Sequence, residues 1–194
     1  MIMKNLCALL LIVFSVTSYS QTFIELDGVK VPTILKIKEE NLKTKLILNG
    51  CGIRDKMWIS LYVQALYLTE KSSDPKQILD NNSPMAIKLH VTSGLITRQK
   101  LIDALKEGIK KSMTGKMSDI QTELDLFISY LNKPIKENDV YDFVYNNTNE
   151  NLTVYLNDEK LGLVNGFPFK RAFFGMWLEE KCADKTLKKR LLGI

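Results

Sequence analysis

The chain has 194 residues, a formal charge of +5, 45% hydrophobic and 25% charged residues. That length suits one domain with a sizeable core, and the balance is that of a globular protein rather than a disordered or fibrous one. The cations are dispersed: the basic stretches 36–45 and 185–190 also carry acids or helical periodicity, so they read as solvated faces and not as a nucleic-acid patch.

Residues 1–20 read as a secretory signal peptide. Lys4 gives the positive start, 6–16 is an apolar run too short to cross a bilayer, and Ser18-Tyr19-Ser20 offers a small-x-small cleavage site. Cys7 lies too early to be a lipid-attachment cysteine at the cleavage point. Removing Lys4 takes the formal charge from +5 to +4. The expected domain is 21–194, periplasmic or secreted. No later stretch is long enough to span a membrane.

The mature chain keeps Cys51 and Cys182. Export permits one disulfide, but the favoured reading of Cys51, in the central hairpin, is a small packed hydrophobe. There is one histidine, and no Cys/His spacing matches a ligand set, so neither a metal nor a cofactor is expected.

In chain order, 23–25 is a short strand, Asp27-Gly28 a hairpin turn, and 31–37 a strand that Pro32 places at a sheet edge. A further turn is expected at 41–44. Asp74 and Pro75 have the N-cap and first-turn positions of a short helix, stopped by Asn81-Asn82-Ser83-Pro84. Residues 85–92 form a strand alternating Ile87, Leu89 and Val91 against Lys88, His90 and Thr92. Thr97 opens a helix to about Met113, with Leu101, Ile102, Leu105 and Ile109 at helical spacing. Ser118 and Gln121 have capping-box spacing before a stripe of Ile120, Leu124, Phe127, Ile128 and Leu131. Strands are expected at 139–145, 152–156 and 161–164, the last two joined by a turn at 157–160. A helix at 167–179 follows with Phe173, Phe174 and Trp177 as anchors, and Asp184 caps a last helix ending at Gly193. Segregated antiparallel strands and helices, without G-x-G-x-x-G or P-loop, predict an α+β fold: an antiparallel sheet with helices on one face.

The stretch 46–68, LILNGCGIRDKMWISLYVQALYL, is central. From Met57 the residues alternate. Met57, Ile59, Leu61, Val63, Ala65 and Tyr67 form an apolar set, expected to meet the helix layer. Trp58, Ser60, Tyr62, Gln64 and Leu66 form a mixed set suited to a pocket wall or a half-wet face. Arg54, Asp55 and Lys56 read as the hairpin turn, with Gly50 and Gly52 admitting a bulge or a close backbone approach.

The G-C-G-I-R run at 50–54, L-Y-L at 66–68, DGVKVPTIL at 27–35, KSSD at 71–74 and NGFPFKRAFFGMWLEEK at 165–181 together resemble the chalcone isomerase family, most of all its bacterial secreted branch, over about residues 24–193. The resemblance implies a large antiparallel sheet carrying a helix layer. In plant chalcone isomerases and the related plastid fatty-acid-binding proteins the arginine of G-x-G-x-R faces the ligand, and Arg54 matches it. Tyr62 falls where catalytic members carry threonine and the fatty-acid-binding branch carries tyrosine.

The expected site is therefore Arg54 and Tyr62, with Ser60, Gln64 and Trp58 of the same parity. A guanidinium fork suits carboxylates and phenolates, and a phenol offers a donor and an acceptor on an apolar body. The plainer readings are a hairpin-tip arginine in water and a half-exposed sheet tyrosine. Eight residues separate Arg54 from Tyr62, about 26 Å along one straight strand. They can share a ligand only if the turn lies nearer Met57-Trp58 or if bulges shift the register. His90 reads as a packed or surface histidine. The functional expectation is an exported, non-catalytic binder of a fatty acid or similar amphipathic anion. The alternatives are an isomerase closing a ring on a phenolic substrate, with Arg54 and Tyr62 catalytic, and a ligand-free envelope interaction module.

Overall fold

Two-residue turns with both φ angles positive set the strand pairing. In the computed structural model, which describes residues 22–36, 45–113 and 115–194, Asp27 and Gly28 (φ 50° and 74°) join β1 (Phe23–Leu26) to β2 (Val29–Pro32). Met57 and Trp58 (φ 51° and 70°) join β4 (Leu46–Lys56) to β5 (Ile59–Leu68). Asn157 and Asp158 (φ 50° and 68°) join β8 (Asn151–Leu156) to β9 (Glu159–Asn165). This backbone matches the right-handed twist of the flanking strands. The central hairpin thus turns at Met57-Trp58, and Asp55 and Lys56 belong to β4, not to the turn expected from their polarity.

With β3 (Ile34–Leu35), β6 (Met85–Val91) and β7 (Val140–Asn146), strands β3 to β9 form a seven-stranded antiparallel sheet in chain order. Hairpin β1–β2 forms a separate two-stranded sheet. Helix α1 (Pro75–Asp80) is capped by Asp74, whose carboxylate accepts from Lys76 N and Gln77 N. Helices α2 (Arg98–Ser112, capped by Thr97) and α3 (Gln121–Tyr130) fill the excursion between β6 and β7. Helices α4 (Phe167–Leu178) and α5 (Lys185–Leu191) close the fold. The capping box expected at Ser118 is not made. A 3-10 turn at Met117–Asp119 occupies that stretch, Asp119 Oδ2 accepts from Lys116 N, and Ile120 stands at the N-cap of α3. The expected signal peptide at 1–20 and turn at 41–44 lie outside the described residues.

The helix layer covers the face of β5 that carries Tyr62, Leu66 and Leu68, not the Val63 face expected from the purer alternation. Val63, Ala65 and Tyr67 instead join Val31 and Leu35 in a second core under the β1–β2 hairpin, where the Tyr67 hydroxyl donates to Pro32 O (2.8 Å). Both faces are buried, which erased the contrast that alternation normally gives. On the helix side Phe173 sits amid Phe143 (4.9 Å between ring centroids), Phe127 (5.1 Å) and Trp177 (5.3 Å). Lys170, fully buried, donates to Ile78 O, Leu79 O and Asn81 O at the end of α1, and burial pulls its ammonium down to about 8.

Helix α5 lies directly on the backbone of β4. A Cβ at Gly50 would stand 2.1 Å from Arg190 O, and one at Gly52 2.7 Å from Arg190 Cδ. Replacing Gly50 by alanine must therefore lift the helix, because the obstacle is backbone. Gly50→Ala is expected to cost at least about 2 kcal/mol, about 4–8 °C in melting temperature for a chain of this size. A thermal melt equal to wild type would show that α5 does not rest there.

Candidate functional site

The Met57-Trp58 turn and one register shift bring Arg54 and Tyr62 together. Arg54 is the cross-strand partner of Tyr62, and Asp55 that of Ser60, so Leu61 is left over as a bulge. Directly opposed residues of an antiparallel pair hold their Cβ atoms about 5 Å apart. The distance along the chain is cancelled by the fold-back.

Arg54 is not a free guanidinium. Its Nη1 lies 2.5 Å from Asp184 Oδ2, with the two side chains 23% and 16% exposed. The other oxygen of Asp184 accepts from Thr186 N (2.8 Å) and Leu187 N (2.9 Å), capping α5. Burial pushes the Asp184 carboxyl up, but the two backbone N–H donors and the Arg54 guanidinium outweigh it and hold the group below the usual carboxylate range.

Tyr62 is half-buried beneath the helix layer, and Trp177 Nε1 donates toward its hydroxyl at 3.5 Å. Burial raises the phenol above its ordinary value, with Trp177 and Arg54 pulling the other way and Asp184 adding to the rise. At neutral pH it is a neutral phenol, able to donate. Its ring and Trp177 wall an apolar cavity of about 60 Å³, completed by Leu89, Leu105, Phe143 and Met176 among others. Ile96 and Ile135 line both this cavity and an open surface depression of about 290 Å³ whose other walls include Thr97, Arg98, Asn132 and Pro134.

The other expected residues divide. Gln64 is fully buried, and neither of its amide atoms has a hydrogen-bond partner. It sits between Gly52 and the cavity residue Leu89. Ser60 is spent near the hairpin tip, donating to Asp55 Oδ1 (3.1 Å). Trp58 occupies the turn itself, fully exposed, and does not line the cavity. Its parity argument failed because alternation does not run through a turn. Sequence reasoning missed the roles of Trp177 and Asp184 here, having read them as a core anchor and a helix cap. The cap reading of Asp184 holds; its pairing with Arg54, 130 positions away, has no local signal.

Among the described residues Cys51 and Cys182 are free thiols. Cys51 packs with the second core under the hairpin, and burial raises its thiol. Cys182 lies in the α4–α5 loop. Among the described residues no group of three His, Cys, Asp or Glu could hold a metal, and no helix is long and apolar enough to cross a membrane.

A seven-stranded antiparallel sheet with helices on one face, a two-stranded hairpin on the other and an apolar cavity beneath the helices define an α+β domain with an interior pocket. The chain belongs to the chalcone isomerase-like family, whose model matches residues 23–193. Its fold is similar to the crystal structure of a fatty-acid binding protein from Arabidopsis thaliana, with a TM-score of 0.71 and 16% sequence identity over 89% of this chain and 96% of that one. No curated protein matches the sequence.

The double duty of Asp184 separates by mutation. Asp184→Ala removes cap and ion pair together and is expected to cost about 2 kcal/mol. Asp184→Asn keeps a good cap and is expected to cost about 1 kcal/mol or less. Because the folded carboxyl is more acidic than the unfolded one, its ionic contribution is present above about pH 4 and is lost as pH falls through the folded value. The gap between wild type and Asp184→Asn in urea unfolding should therefore close in acid. A gap that persists would show that the pair contributes nothing.

Proposed function

We propose that this protein is an exported, non-catalytic binder of a fatty acid or a similar amphipathic anion held between sheet and helices. The observation that carries the reading is the graded chemistry of one site. An almost wholly apolar cavity ends at a neutral phenol and an indole N–H, with a guanidinium opposite the phenol on the next strand. An acyl chain suits the cavity. A carboxylate at its end would accept from Tyr62, from Trp177 and from Arg54 through charge-assisted bonds. The Arabidopsis fatty-acid binding protein shares the fold and supports the same class of ligand.

Size and charge both demand rearrangement. A cavity of about 150 Å³ holds benzene, so 60 Å³ does not take a long chain. The chain must part Ile96 from Ile135, extending toward the surface depression, or lift α2. The carboxylate must share Arg54 with Asp184.

Long-chain fatty acids are expected to bind the purified protein in calorimetric titration. Arg54→Ala should weaken binding by about 1.5–3 kcal/mol and Tyr62→Phe by about 0.5–1.5 kcal/mol. Asp184→Asn should tighten it, since it removes the competing carboxylate and keeps the cap. No variant should accelerate chalcone cyclisation. Unchanged affinity in folded Arg54→Ala and Tyr62→Phe would place the ligand elsewhere, and a saturable cyclisation rate lost in Arg54→Ala would make the protein an isomerase.

Export rests on Lys4, the apolar run at 6–16 and the Ser18/Ser20 positions. N-terminal sequencing of the extracytoplasmic protein should begin at about Gln21. Met1 recovered from a cytoplasmic fraction would refute export.

A further inference from the structure

The face of the sheet away from the helices carries a larger cavity, about 240 Å³, roofed by the β1–β2 hairpin. Its floor follows from strand register. Val63 of β5 stands opposite His90 of β6, which stands opposite Val140 of β7, and Ala65 stands opposite Lys88 two pairs along. Val31 and the half-exposed ring of Phe23 close it from above. The polar members are Lys30, Lys88 and His90, the last being the chain's single histidine.

These three are not equivalent. Lys88 is spent on Asp142, 2.6 Å away and 22% exposed. His90 Nε2 has a long contact of 3.4 Å with Asn138 Oδ1. Lys30 is exposed on β2, and among the described residues it forms no ion pair. An apolar floor thus ends at Lys30, which stands across the hairpin from Glu25 without a direct ion pair, with an imidazole beside the floor valines. That combination selects an anion with a compact apolar body. The volume exceeds the roughly 150 Å³ that a benzene-sized guest occupies and falls short of what a long acyl chain fills.

We propose that this cavity is a second binding site, independent of the sheet–helix pocket, for a small amphipathic monocarboxylate: an aryl or medium-chain acyl acid. The apolar body lies on Val63, Ala65 and Val140 beneath the hairpin. The carboxylate faces Lys30, with His90 able to donate to it. The hairpin is tethered to the sheet at the Tyr67–Pro32 bond, so the roof is held in place while the rim near Lys30 stays open.

The test is a titration of the 15N-labelled protein with octanoate, followed by amide chemical shifts. Saturating shifts are expected at Lys30, Val63, Ala65 and His90, and they should persist in Tyr62→Phe, which acts on the other face. Lys30→Glu, an exposed change that leaves the core untouched, should weaken this binding about fivefold, the scale of one exposed charge contact. Ala65→Leu fills the floor with apolar atoms and should abolish these shifts. If Ala65→Leu does not fold, Lys30→Glu decides. Shifts confined to the Tyr62, Leu89 and Leu105 side, no saturation at the hairpin face, or an unchanged affinity in Lys30→Glu would overturn the second site. Hairpin-face shifts without any at Tyr62 would support it, and the long-chain titration then decides the helix-side pocket separately.

Discussion

The seating of α5 on bare backbone is the constraint on which much of the molecule depends. Gly50 and Gly52 present no side chain toward the helix, so Arg190 and Leu191 approach β4 to distances that any Cβ would forbid. Asn49, displaced by a register shift, then donates to Leu191 O (2.8 Å) and to Ser72 O (3.0 Å), and accepts from Ser72 N. At the other end of the helix Arg54 reaches the capping carboxylate of Asp184. The stretch from 49 to 54 is thus a docking strip in which each residue pointing at the helix side has a role in its seating. The two glycines give proximity, the asparagine satisfies a C-terminal carbonyl, and the arginine grips the N-cap.

The same strip defines the polar end of the pocket. Arg54 serves α5 through Asp184 and faces Tyr62 across the ladder, so helix docking and the proposed anion recognition draw on one guanidinium. A ligand carboxylate and Asp184 are chemically alike, and Arg54 already has a partner in Asp184. That partner spares a half-buried cation the cost of standing unpaired, at the expense of competition with any anionic guest. The phenol needs no such partner, because burial keeps it neutral.

The sheet is not open on one side. A helix layer covers one face and a two-stranded hairpin covers part of the other, and each cover leaves a cavity. The helix-side cavity is small because bulky rings from α4 and β7 fill the space, Phe173 and Phe143 above all. The hairpin-side cavity is larger because its floor is built of Val63, Ala65 and Val140, and two short strands cannot supply enough side chains to fill what they span.

Much of the architecture was legible in local chemistry. The Asp74-Pro75 helix start, the Thr97 and Asp184 caps, the Asp27-Gly28 turn and the strand at 85–91 were fixed by residues within a few positions of each other, and the order of five short motifs pointed to the family. The Met57-Trp58 turn was not legible, since neither residue favours positive φ, and the polar Arg54-Asp55-Lys56 run imitated a turn. Nor was the choice of face for the helices, because both parities of β5 are buried and a period of two says only that two faces exist. The pairing of Arg54 with Tyr62 required the register, the pairing of Arg54 with Asp184 required the docking of α5, and the orphaned Gln64 became visible only when its neighbours could be counted. Sequence determines what each short segment favours, because capping and turn chemistry act over a few bonds. Tertiary structure alone decided which distant groups share a site, because that depends on register and on where a side chain is absent.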